Sequence, residues 1–228
     1  MVSAAQEGLK PPPFGDRVVK LAHQPEDPTT NQAIYKTFTA GNWPSGVAAE
    51  TLDYAPSNVS ARYVTYLCVP AARFSLSRQG WTTLVQFTET YTSTDGATSS
   101  QPAWRVGVGN VAGRPVLDVS YAAAWHVGPE ADFTQYMDRW IKVEMRLYQG
   151  DRLEVLLDET LLDTAYDDEY PVGRRFFPGA AGAFGDTVES PRAWTISAGN
   201  ISNPAEWQTT SSVVYVDLVT VLPLEGTS

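Results

Sequence analysis

The sequence predicts an all-β protein, a two-sheet antiparallel sandwich, on three observations. The stretch Trp140–Asp158, WIKVEMRLYQGDRLEVLLD, alternates Ile141, Val143, Met145 and Leu147 with Lys142, Glu144, Arg146 and Tyr148. That is the two-residue period of a strand with one dry and one wet face. Gln149-Gly150-Asp151 then turns the chain, and Leu153, Val155 and Leu157 resume the alternation, as in a hairpin closed by a Gly-containing connection. Second, about ten segments of strand length and composition recur along the chain, separated by Gly- and Pro-rich turns. Third, no stretch carries the apolar stripe of a three-turn amphipathic helix.

Taken in order, residues 1–15 form an extended arm, because Pro11-Pro12-Pro13 favours polyproline geometry and blocks helix. A single domain follows over residues 16–228. Arg17–Ala22 is its first strand and Ala33–Thr39 the second, while Val47–Tyr54 fits either a strand or a short helix. Ala61–Val69 and Trp81–Thr90 are rich in β-branched and aromatic residues and read as strands. Between Tyr91 and Pro102 no apolar residue exceeds Ala in size, which predicts a long polar loop. Trp104–Val108 and Val116–Tyr121 come next, with a turn at Gly113-Arg114-Pro115 between them and another at Gly128-Pro129. After the hairpin, residues 159–192 read as irregular, and Ala193–Ala198 and Val213–Leu222 close the sandwich.

The chain of 228 residues suits one large β-domain, and a 43% hydrophobic content supplies its core. A formal net charge of −10 excludes a nucleic-acid backbone as partner and disfavours anionic membranes, since no basic stripe offsets the repulsion. No segment approaches the ~18 consecutive apolar residues of a membrane span. The N-terminus MVSAAQEGLKPPPFG has neither the basic nor the apolar region of a signal peptide, which predicts synthesis in the cytoplasm. Cys68 is the single cysteine, so no internal disulfide can form, and its apolar setting predicts a small buried core residue.

The segments RYVTYLCVP (62–70), WTTLVQF (81–87), PAWRVGVG (102–109), RWIKVEMRLYQGDRLEVLLD (139–158), AWTISAGN (193–200) and VVYVDLVTV (213–221) occur in an order and spacing covering most of residues 16–222. In this they resemble the concanavalin A-like jelly roll, and within it the polysaccharide-lyase-like branch. The resemblance implies a sugar groove on one sheet, lined by Gln86, Arg105 and the strand 193–201. It also implies a His two residues after the Gln, where this chain has Thr88, and Lys and Tyr on the strand AWTISAGNIS, which has neither.

Eliminating across a uronic acid needs a base for the C5 proton, an acid for the leaving oxygen and a group that neutralises the carboxylate. Only His23 and His126 offer imidazoles; His126 follows Trp125, a pair that could face a groove at a strand end, although a locally bonded histidine is the commoner case. Glycoside hydrolysis needs two carboxylates across a cleft. Glu144 and Glu154 occupy the hairpin's alternate positions, expected to face solvent, and no E-x-D-x-x-E pattern is present. Asp163, Asp167, Asp168 and Glu169 could offer oxygens to a structural Ca²⁺, but without the Gly-punctuated spacing of a calcium loop they read as a solvated acidic turn. No other cofactor is indicated, and no Cys/His set suits zinc.

Seven Trp and eleven Tyr are a heavy aromatic load, with Trp43, Tyr91, Trp125, Tyr170 and Trp207 in loops or at strand ends. Such rings stack on sugar faces, or else plug the sandwich ends and pack against neighbouring subunits. The expected site is a glycan-binding one made by Gln86, Arg105, Tyr121, Trp125 and His126, without catalytic or metal residues. The expected function is a non-catalytic, lectin-like jelly-roll module that binds a glycan or cell-surface polysaccharide, assembles with neighbouring subunits through the arm, or both. A sugar-type fold with a Pro-rich arm and no secretory signal resembles accessory virion proteins of tailed bacteriophages, displayed on a capsid or tail. The alternative is a polysaccharide lyase acting on a uronate polymer by β-elimination, with a displaced site using Gln86, Arg105, His126 and Tyr121.

Overall fold

The computed structural model describes residues 1–23, 32–38, 61–74, 81–93, 98–121, 124–127, 132–148, 152–166, 188–202 and 212–224. The strands are β1 (Val2–Ser3), β2 (Arg17–His23), β3 (Gln32–Phe38), β4 (Ala61–Cys68), β5 (Trp81–Ser93), β6 (Thr98–Val111) and β7 (Arg114–Tyr121). They continue with β8 (Ala124–Val127), β9 (Trp140–Tyr148), β10 (Arg152–Leu157), β11 (Thr160–Tyr166), β12 (Val188–Ser202) and β13 (Ser212–Pro223). Only two short 3-10 turns, Ala71–Arg73 and Thr134–Tyr136, interrupt them among the described residues. No described helix is long and apolar enough to cross a membrane.

Two antiparallel sheets face each other as a jelly-roll sandwich. One has seven strands in the order β1-β2-β13-β4-β9-β10-β11, the other six in the order β3-β12-β5-β6-β7-β8. The alternation in 140–158 sets the larger sheet's faces: Tyr63, Leu67, Ile141, Val143, Met145 and Val155 are at most 1% exposed and form its inner side. Val85, Val106, Val108, Leu117 and Val119 answer from the smaller sheet. Burying each such side chain contributes about 1.5–3 kcal/mol, so the two inner faces hold the sheets together. Phe133, fully buried, plugs one side, anchored by its N–H to the Pro115 carbonyl at 3.0 Å.

Several segments differ from the sequence expectation, among them Val188–Arg192, read as irregular but part of β12, and Ala124–Val127, not read as a strand but forming β8. Residues 91–93 and 98–102 of the polar stretch are strand, not loop: Tyr91 pairs with Ser99 and Thr92 with Thr98, so β5 and β6 stay paired beyond Tyr91, with residues 94–97 outside the described residues. Ladder hydrogen bonds need no apolar side chains, which is why the composition hid it. Thr160–Tyr166, placed in an irregular region, is β11; the tight turn Asp158-Glu159 (φ 47° and 67°) returns it along β10, with Leu157 opposite Thr160. Asp158 secures that turn by donating its N–H to the Lys142 carbonyl and accepting from the Lys142 N–H, both at 2.9 Å. The turn between β6 and β7 sits one residue earlier than read, on Ala112 and Gly113 (φ 52° and 87°), since Val111 pairs with Arg114. Val47–Tyr54, Gln149–Asp151 and Gly128-Pro129 lie outside the described residues.

Residues 1–15 make their described contacts within their own chain. Val2 and Ser3 pair with Val18 and Arg17, and Ala4, 2% exposed, packs with Val18, Cys68 and Tyr215. The Trp140 indole N–H donates to the Lys10 carbonyl at 2.9 Å, and the Phe14 N–H to Asp217 Oδ2 at 2.8 Å. Glu7 clasps the segment down: its carboxylate accepts from Lys20 Nζ at 2.8 Å, Arg73 Nη1 at 2.8 Å and Tyr215 Oη at 2.6 Å. Those bonds, from Lys20 and Tyr215 above all, pull its pKa to about 2. Cys68 is buried as expected; burial, helped by the Asp138 carboxylate, pushes its thiol up to about 11, so it stays protonated and unreactive.

Candidate functional site

The central strands of the six-stranded sheet carry opposite chemistry on their two faces. Along β6, Val106 and Val108 point into the core, so Arg105, Gly107 and Gly109 take the outer face. Register carries that face across the sheet: Gln86 pairs with Arg105, Arg105 with Ser120, and Ser120 with Trp125. On the other side Gln86 pairs with Ser197, and Ser197 with Tyr35. One transverse row, Tyr35–Ser197–Gln86–Arg105–Ser120–Trp125, therefore crosses all six strands.

A bulge shapes this face. Thr83 pairs with Gly107 and Val85 with Val106, leaving Leu84 as the extra residue on β5. The bulge presses the β5 backbone onto β6, and a Cβ at Gly107 would lie 2.5 Å from the Thr82 carbonyl oxygen. Glycine is the residue that fits there. With no side chain at Gly107 or Gly109, a buried glycine track runs along β6 from Arg105 toward Trp81, which pairs with Gly109. The Arg105 guanidinium carbon stands 4.5 Å from the Trp81 ring centroid, a cation–π contact. Both side chains are half-buried. Asp118, opposite Gly107 and 1% exposed, adds a carboxylate beside the track.

Of the expected site residues, Gln86, Arg105 and Trp125 share the transverse row. Tyr121 pairs with Trp104 in the adjacent row, out of phase with Arg105. His126 is the bulge residue of β8, between the pairs Trp125–Ser120 and Val127–Val119. For Tyr121, Trp125 and His126 the description reaches the backbone only. His23 ends β2 in the other sheet, paired with Ser212. Thr88 falls in the row Thr37–Thr195–Thr88–Pro102. Trp81 and Tyr35 were missed by sequence reasoning, because strand pairing alone brings Trp81 against Arg105 and puts Tyr35 in the same row, three strands away. Of the aromatic residues expected at loops and strand ends, Tyr91 lies within β5; Trp43, Tyr170 and Trp207 lie outside the described residues.

The expectation that Glu144 and Glu154 face solvent is corrected. The Glu144 side chain is fully buried and the Glu154 side chain 14% exposed, on the outer face of the seven-stranded sheet. Glu144 is clamped by Lys142 Nζ at 2.8 Å and Arg146 Nε at 2.6 Å, with Arg62 Nη1 at 4.0 Å. Burial pushes its pKa up, but the bonds from Lys142 and Arg146 outweigh that and hold it below the usual range. Glu154 accepts from Arg152 Nε at 2.9 Å. A glycosidase acid needs a raised pKa and Glu144 has a lowered one, so Glu144 sits in a structural charge lattice rather than a hydrolytic site. Among the described residues no group of three His, Cys, Asp or Glu side chains could hold a metal ion. Asp163 belongs to β11, and Asp167, Asp168 and Glu169 lie outside the described residues.

No protein-family model matches this chain, and no curated protein matches it by sequence. Solved structures do match in fold. The endo-β-1,4-glucuronan lyase of the fungus Trichoderma reesei superposes with a TM-score of 0.53 at 12% identity, covering 92% of this chain and 83% of its own. The marine PL7 alginate lyase AlyA1 of Zobellia galactanivorans gives 0.50 at 10% identity, covering 96% and 85%. The binding domain of botulinum neurotoxin DC gives 0.48 at 10% identity, covering 94% of this chain and 41% of that one. The fold is thus that of the concanavalin A-like jelly roll.

Proposed function

We propose that this protein holds an anionic, uronate-bearing polysaccharide across the outer face of its six-stranded sheet. The observation that carries this reading is the row Gln86–Arg105–Ser120, with the Arg105 guanidinium propped on Trp81. A guanidinium held against an aromatic face is preorganised to accept a carboxylate in two parallel hydrogen bonds. Gln86 beside it offers an amide to a sugar hydroxyl or ring oxygen. Trp81 presents an aromatic body of the kind sugars stack on.

Two readings share this site. In the first the protein binds without cleaving. Thr88 and Thr195 support it, since neither threonine can act as an imidazole base in the row next to Arg105. In the second the protein is a lyase. The names of two fold neighbours, a glucuronan lyase and an alginate lyase, favour it, and Tyr35 or His126 would then supply the proton transfers. Incubation with glucuronan and with alginate separates them. Retention of polymer without an ultraviolet-absorbing unsaturated product supports binding alone, whereas that product, lost in Tyr35→Phe or His126→Ala, makes it a lyase. Neither retention nor product would remove the proposal. A role on a bacteriophage virion draws no support from these fold neighbours.

A further inference from the structure

A second site lies on the other sheet. The folded-back N-terminal segment leaves a cavity of about 290 Å³ between itself and the ends of β4 and β9. Glu7, Leu9 and Lys10 line it from the N-terminal segment, Arg73, Asp138 and Arg139 from the turns after β4 and before β9, and Cys68 and Trp140 from the sheet. We infer that this cavity binds a small organic carboxylate, of about the size of one sugar acid.

Three features point to that chemistry. First, the acids in the lining are already occupied. Glu7 accepts from Lys20, Arg73 and Tyr215, and Asp138 Oδ1 accepts from the Ala71 N–H at 2.9 Å. They offer little to a cation. Second, the bases have donors left over. Lys10 Nζ makes no hydrogen bond or ion pair among the described residues and is exposed at the rim. Arg73 engages Glu7 and Tyr215 through one terminal nitrogen, Nη1. Arg139 engages Asp158 through Nη1 and Gln135 through Nε. A carboxylate entering the cavity would meet donors, each able to form a charge-assisted bond. Third, Leu9, Pro70, Cys68 and Trp140 give an apolar lining, which favours a carbon body over an inorganic anion. The volume sits at the lower end of ordinary small-molecule sites.

The site is separate from the glycan face: no residue of the six-stranded sheet lines it. It is also coupled to the N-terminal segment, because Trp140 holds the Lys10 carbonyl that forms its rim. A bound carboxylate bridging Lys10 to Arg73 or Arg139 would stitch that segment to the sheet.

The test is a site-resolved NMR titration of the full chain with D-glucuronate, with D-glucose and inorganic phosphate as controls. Glucuronate is expected to shift the Trp140 indole N–H and the Leu9 amide saturably, glucose to leave them in place, and phosphate to move them less. Lys10→Gln, a change at an exposed side chain outside the core, is expected to weaken binding about two- to fivefold. Absent shifts at these resonances, equal shifts with glucose or phosphate, or an unchanged affinity in Lys10→Gln would each overturn the inference. Shifts confined to the Gln86–Arg105 region would also overturn it while leaving the glycan reading intact.

Discussion

Replacing Glu7 by Gln should loosen the first fifteen residues without unfolding the sandwich. The carboxylate makes three close contacts, to Lys20 at 2.8 Å, Arg73 at 2.8 Å and Tyr215 Oη at 2.6 Å. The Lys20 and Arg73 side chains are 33% and 46% exposed, so each ion pair contributes at most about 1 kcal/mol. The bond from the Tyr215 hydroxyl is charge-assisted, and an amide retains roughly half of its strength. The loss is therefore about 1–2 kcal/mol, or roughly a 5- to 30-fold shift in the opening equilibrium. Hydrogen exchange reads this directly at the amides of Ala4, Gly8 and Leu9, which donate to Asp16, Ala5 and Ala4 carbonyls. Their protection should fall by that factor while amides of β4 and β9 keep theirs. The same opening should follow acidification of the unaltered protein. Folding lowers the Glu7 pKa from 4.5 to about 2, so its stabilisation is complete above 4.5 and fades as pH falls toward 2. Unchanged protection in Glu7→Gln would refute the clasp; equal loss in the core strands would show that the segment is not a separable unit.

Other sites carry their own expectations. Glu144→Gln should destabilise the whole fold by about 3 kcal/mol or more in chemical denaturation, because it strips a buried anion from among Lys142, Arg146 and Arg62. Since Glu144 also titrates below its usual range, its contribution is lost on acidification rather than at high pH. Gly107→Ala should cost about 1–3 kcal/mol, because its Cβ would sit 2.5 Å from the Thr82 oxygen and force the β5 bulge outward. The same substitution should weaken polysaccharide binding, whereas Ala72→Gly, at an exposed position by the other sheet, should not alter it.

Much of this architecture is legible in the chain because a two-residue period survives in it. Trp140–Leu157 and Val213–Leu222 have one apolar face each, and each is strand where the alternation places it. The polar hairpin beyond Tyr91 and β11 carry little such contrast: they are held by main-chain ladders and a tight turn, which composition does not record. Glu144 defeats the alternation rule differently. Its position is outward, but its long cationic neighbours lie over it and bury it. At the candidate site, Gln86 and Arg105 came from the resemblance to the jelly-roll family, and the register pairs them. Trp81 was not, since its approach to Arg105 depends on a glycine track and a bulge. The Pro-rich N-terminal segment reads in sequence as an extended arm reaching toward neighbouring subunits; its seat on its own sheet depends on Glu7, Lys20, Arg73 and Tyr215, spread over more than two hundred residues.

Arg105, propped on Trp81, is the proposed carboxylate partner on the six-stranded sheet. Calorimetric titration of the intact protein with glucuronan oligosaccharides, alongside carboxyl-reduced oligosaccharides and an Arg105→Gln variant, tests it most directly. The claim predicts binding to the acidic oligosaccharide that falls about tenfold or more both in Arg105→Gln and on carboxyl reduction, as expected for loss of a charge-assisted pair. Affinity unchanged by either alteration would contradict it.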